Sequence, residues 1–157
     1  IEKLTVYCGA RLEITRQDVL ELSGVQTGGT VFDWLDALAG GDTPGALALA
    51  RHLIQSGESA VGALALAAGH YMTLLKIKRM SAARVPAEQI KRSLGLAFRP
   101  PEAVKALFAQ AAACSQERLG RGLELLLNCD RSLKTSSLPD TLILETLILD
   151  FHREVNG

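Results

Sequence analysis

The stretch SQERLGRGLELLLNCDRSLKTSSLPDTLILETLILDF, Ser115–Phe151, decides the fold. It reads as two helices parted by a polar break, Thr135-Ser136-Ser137-Leu138-Pro139. Ser115 is placed to cap the first helix, expected to run to about Lys134. At roughly 100° per residue, Leu119, Leu123, Leu126 and Leu133 fall on one face. Asp130 falls in the same arc, where a carboxylate needs a cation or hydrogen bonds, because an unpaired buried charge is costly. Lys134, one turn on, is the local candidate for a structural ion pair. The second helix, about Asp140 to His152, is apolar nearly all round, with Leu142, Ile143, Leu144, Leu147, Ile148, Leu149 and Phe151. A helix without a wet face is expected inside a core or beneath another subunit.

Upstream, the same periodicity predicts helices throughout. Thr30 to Ala39 is expected to turn Phe32, Leu35, Ala39 and Val31 inward and leave Trp34 partly exposed. Thr43 as cap and Pro44 at the first helical position open the next helix, which Ser56-Gly57 ends. From Ala60 to about Met80 runs the longest helix. Its first half is small and apolar on every side, so it belongs at the bundle centre. Pro86 to Leu94 is a short helix closed by Gly95. Arg99-Pro100-Pro101 forces a bend, and Pro101 starts a helix to about Ala113. No strand alternation interrupts these elements. The expected fold is all-α, a multi-helix bundle.

The N-terminal part reads differently. Ile1 to about Tyr7 looks like the tail of a helix stopped by Gly9, and Thr15 caps a second short helix. Gly28-Gly29 marks the expected boundary, giving residues 1–27 as one unit and 28–157 as the bundle. The chain opens in mid-helix without an initiator Met, so a fragment of a longer protein is expected.

Composition narrows the function. Of 157 residues 48% are hydrophobic but only 4% aromatic, so the core is built from Leu, Ala, Val and Ile. Lys and Arg together number 17, as do Asp and Glu, so any nucleic-acid contact must be local. Lys76-Ile77-Lys78-Arg79, Arg84, Lys91-Arg92 and Arg99, with Tyr71 and Phe98 among them, are the basic patches available for it. Cys8, Cys114 and Cys129 form no CxxC pair and fit a reducing cytoplasm. No signal peptide is visible, and the apolar run Ala60 to Gly69 is too short to span a bilayer.

Catalytic constellations are sparse. No GxxxxGK[ST] loop occurs, and no strand precedes Gly28-Gly29-Thr30. His52, His70 and His152 are scattered without metal-ligand spacing. Cys114 and Cys129 read as packing thiols. Asp130 has Glu124 as its nearby acid on the helix, but Glu124 projects elsewhere. A small enzyme would need a His or Cys brought to Asp130 by the fold. A helical-repeat adaptor is the other alternative. A helix-turn-helix DNA binder would need a basic recognition helix, and none is found.

Several short segments share an order and spacing with a known family. Ile1-Glu2-Lys3-Leu4-Thr5-Val6-Tyr7, Ile14-Thr15-Arg16-Gln17-Asp18-Val19, and Val31-Phe32-Asp33-Trp34-Leu35-Asp36-Ala37-Leu38 come first. Leu126-Leu127-Asn128-Cys129-Asp130-Arg131-Ser132-Leu133-Lys134-Thr135 and Leu144-Glu145-Thr146-Leu147-Ile148-Leu149 complete the series. Together they resemble the C-terminal part of the bacterial DNA polymerase III delta subunit, a component of the sliding-clamp loader. The resemblance implies the end of an ATPase-type lid domain at 1–27, then a helical collar that assembles with the ATPase (gamma/tau) and delta-prime subunits. It implies no cofactor and no catalysis by this chain, although the holoenzyme is a DNA-directed DNA polymerase. The sliding clamp would be met through an N-terminal module that this sequence lacks. Primer–template DNA would be faced by Phe98, Arg99 and the loop after Lys134, where Thr135-Ser136-Ser137 offers no aromatic ring.

Overall fold

The computed structural model describes residues 30–156. Helix α1 spans Val31–Gly40, α2 Thr43–Gln55, α3 Ala60–Ala82 and α4 Ala87–Ser93. A 3-10 turn, Leu96–Phe98, leads to α5 at Pro101–Ala113, α6 at Gln116–Thr135 and α7 at Asp140–Phe151. A π-helical turn, His152–Asn156, follows α7. No strand occurs among the described residues, and the fold is all-α. The two short helices expected at 1–27 lie outside the described residues.

Local chemistry sets the helix ends. Thr30 and Asp33 form a capping box at α1: Asp33 N–H donates to Thr30 Oγ1 at 3.3 Å, and Thr30 N–H donates to Asp33 Oδ2 at 2.6 Å. Those bonds hold the Asp33 carboxyl below its usual range. Ser59 caps α3 by accepting from Gly62 N–H, and Ser115 caps α6 by accepting from Arg118 N–H. At α2 the cap is Asp42, not Thr43, because the Asp42 carboxylate accepts from Gly45 N–H at 3.0 Å. Gly41, with φ 74, makes the tight turn that brings Asp42 there.

The long-range pairing is that of a bundle. Helix α3 packs chiefly on α6, α7 lies against both α6 and α2, and α5 leans on α3. A repeat superhelix would stack consecutive helix pairs instead. Gly122 permits the closest approach. A Cβ there would stand 2.7 Å from Tyr71 Cε1 and 3.3 Å from Phe151 Cε1. Tyr71 and Phe151 meet edge to face, centroids 5.5 Å apart. Beyond Phe151 the chain folds back on α6, where Arg121 binds Glu154 and Arg118 Nε donates to the Val155 carbonyl.

Two sequence expectations change, for α1 and α3, and α7 is covered on one side. Trp34 is completely buried while Phe32 is 64% exposed. The inner face of α1 is Trp34, Leu35 and Leu38, so the helix is rotated from the expected setting, and Val31 and Ala39 are only half-buried. The first half of α3 is not enclosed: Ala60, Ala63, Leu64 and Ala67 are buried, whereas Val61 and Leu66 face outward. Its 23 residues suffice in length and apolar content to cross a membrane, but its buried face is the bundle core. Helix α7 buries Ile143, Leu144, Leu147, Ile148 and Phe151 yet exposes Leu142 and Leu149.

Two glycines on α6 test this packing against each other. Gly122→Ala should lose about 1–2 kcal/mol, overpacking outweighing its gain in helix propensity. Gly120→Ala, with open space around its Cβ, should gain up to about 1 kcal/mol. Urea midpoints at constant m-value measure both.

Candidate functional site

Asp130 and Lys134 come together as an i,i+4 pair at 2.7 Å on α6. The pair lies at the surface, its side chains 31% and 58% exposed. The buried arc of α6 runs through Leu119, Gly122, Leu125, Leu126 and Cys129, so Asp130 stands at its edge rather than its middle. Burial pushes the Cys129 thiol up to about 12, as befits a packing cysteine.

Asp130 borders an apolar groove of about 350 Å³ between α3 and α6. Leu64, Ala65, Ala68 and Met72 line one wall, and Leu123, Leu126 and Leu127 line the other. The lining holds no histidine. Exposed Met72 and Leu127 flank it. A second open apolar face lies on α7, where Leu142 and Leu149 are 46% and 54% exposed and Leu138 just before the helix is also exposed.

Phe98 and Arg99 lie elsewhere, at the bend between α4 and α5. Phe98 is 97% exposed. Arg99 joins Lys91, Arg92 and Lys105 around a cleft of about 490 Å³. The structure therefore does not gather Phe98, Arg99 and Lys134 into one site. Sequence reasoning missed Lys105 and Phe108 in this cleft. The available signal was charge bias: residues 76–105 carry eight of the 17 basic side chains and two of the 17 acidic ones.

A polar cluster sits where α1, α3 and α5 meet. Gln110 Nε2 donates to Asp36 Oδ1 at 3.5 Å, with His70 beside them. The buried His70 Nε2, Gln110 Oε1 and Trp34 Nε1 have no hydrogen-bond partner among the described residues. Burial pushes the His70 pKa down, partly opposed by Gln110 and Asp36, while Arg99 adds to the lowering. Among the described residues no three His, Cys, Asp or Glu side chains converge as a metal site would require.

The fold is an all-helical bundle with open apolar faces on α7 and between α3 and α6. The family model described as DNA polymerase III delta subunit, C-terminal domain, matches residues 29–151, and the chain belongs to that family. Among solved structures it is similar to the Bacillus subtilis DNA clamp loader delta protein (YqeN), with a TM-score of 0.75 at 24% identity. The match covers 98% of this chain and 44% of that one, so this sequence spans under half of that protein. A search of curated proteins found no match.

Two predictions follow from the geometry. Asp130→Asn should change stability by less than about 0.5 kcal/mol, as for an exposed helical ion pair, read by chemical denaturation. A larger loss would mean a buried role. His70 has a folded pKa below its unfolded value, so the unfolded state takes up the proton first as pH falls. Stability should therefore drop as pH falls below about 6.5. His70→Gln should remove that part of the slope of unfolding free energy between pH 7 and pH 5.

Proposed function

We propose that this chain is the collar of a clamp-loader delta subunit, holding the subunit among its neighbours while the sliding clamp is loaded onto primed DNA during replication. The observation that carries this is the open apolar stripe of α7, Leu142 and Leu149 on a helix whose other face is core. Apolar side chains at helical spacing suit burial against another subunit's helix. The ATPase (gamma/tau) and delta-prime subunits are the proposed neighbours. The sliding clamp would be engaged by the part of the subunit outside this sequence. Family membership and the all-helical fold support this reading.

The chain works by association and performs no reaction itself, without cofactor or membrane contact, in the cytoplasm. Asp130 and Lys134 serve as a structural pair. Primer–template DNA approaches Phe98 and Arg99, whose exposed ring and guanidinium suit stacking and phosphate contact. Lys134 adds charge at the separate end of α6.

The test is co-elution with the ATPase and delta-prime subunits. The wild-type chain should associate at micromolar concentration. Leu142→Glu with Leu149→Glu should weaken association at least about tenfold, because each places a charge in a desolvated contact. Circular dichroism should show unchanged helicity. No association of the wild-type chain at that concentration would defeat the assembly role.

A further inference from the structure

The cleft between α4, the 3-10 turn and α5 has chemistry of its own. Its floor is apolar, with Leu96 and Val104 buried and Phe108 half-buried. Its rim carries Lys91, Arg92, Arg99 and Lys105 against a single carboxylate, Glu88. Glu88 is already bonded to Lys91 at 2.7 Å. Among the described residues no carboxylate pairs with Arg92, Arg99 or Lys105. Three cations thus face one concave space in a chain whose net charge is zero. Their mutual repulsion is relieved by an anion, and the low-dielectric walls focus their field on it.

We infer that this cleft binds a phosphorylated ligand of nucleotide size, its phosphate held by Arg92, Arg99 and Lys105 and its apolar part resting on Leu96, Val104 and Phe108. The volume of about 490 Å³ lies within the range of small-molecule sites. Two guanidinium forks and an ammonium lining one cleft supply the donors and charge that a multiply charged phosphate takes. Carboxylates spaced along an extended acidic peptide would not concentrate charge there. Phe98, between the lining residues Ala97 and Arg99, adds an aromatic face that suits a nucleobase. The phosphate belongs either to a free nucleotide or to the end of a nucleic-acid strand. The site stands apart from subunit assembly, which uses α7.

Fluorescence anisotropy of the 157-residue chain tests this. The probes are a fluorescent deoxyadenosine triphosphate and a labelled 5′-phosphorylated oligothymidylate. At least one should bind with sub-millimolar affinity, weakening as salt rises. The pair Arg92→Ala and Lys105→Ala should lower affinity at least about tenfold. Arg131→Ala, on the exposed side of α6, should leave it unchanged. Binding of the oligonucleotide alone identifies a strand as the source, and binding of the triphosphate identifies the free nucleotide. Wild-type affinity in the double variant overturns the inference, as does binding of neither probe. Equal competition by deoxyadenosine or by an acidic peptide overturns it too. Co-elution with partner subunits, measured on the same variant, should be unchanged, so failure of the cleft and failure of assembly are told apart.

Discussion

The bundle closes around a point where no side chain can stand. At Gly122 the backbone of α6 passes so near Tyr71 of α3 and Phe151 of α7 that a Cβ would overlap the Tyr71 ring. Three helices share that contact, so their spacing is set together. Tyr71 and Phe151 are nearly inaccessible, and their edge-to-face geometry gives the contact a direction as well as an area. Burial pushes the Tyr71 hydroxyl far above its usual pKa, which keeps it neutral in the core. The fold-back of residues 152–155 onto α6 follows from the placement of Phe151. Arg118 then holds it through the Val155 carbonyl, and the exposed Arg121–Glu154 ion pair adds orientation more than energy.

Much of this was visible in the residues, and what was not visible has a physical reason. Helix existence followed from apolar spacing, and the cap at Ser115 and the helix start at Pro101 fell where expected. Phase was harder. In a helix as short as α1, rotating the apolar arc by one residue still leaves Leu35 inward, so periodicity does not choose between Phe32 and Trp34. Burial of the larger aromatic surface against neighbouring helices makes that choice. Asp130 shows the same limit. It is one step, roughly 100°, from buried Cys129. A projection of one helix locates the arc but not its edges, because the edges depend on how far the neighbouring helices reach.

The surfaces were less legible than the core. Leu142 and Leu149 could belong to the core or to a subunit contact because the whole of α7 is apolar, and only the packing shows which side is covered within the chain. The basic cleft was hidden for another reason. Arg92 and Lys105 are far apart in sequence and on different helices, and the bend at Arg99-Pro100-Pro101 brings them to one space. Net neutrality of the chain concealed this, since an excess of cations in residues 76–105 is offset by acids elsewhere. Composition averages over a surface, whereas a binding site responds to the local field.

The cleft also rests on the shortest α-helix among the described residues. Helix α4 has seven residues, too few to persist alone, since isolated helices below about 12 residues are marginal in water. Ile90 is its one fully buried side chain, joined just beyond by Leu96 in the 3-10 turn. By contrast α3 and α6 form the most extensive helix pair among the described residues, each with several buried side chains. The α3–α6–α7 core holds the apolar face of α7 in a fixed place. The short α4 places Lys91 and Arg92 at the cleft while adding little to that core, so charge there can change without disturbing the main packing.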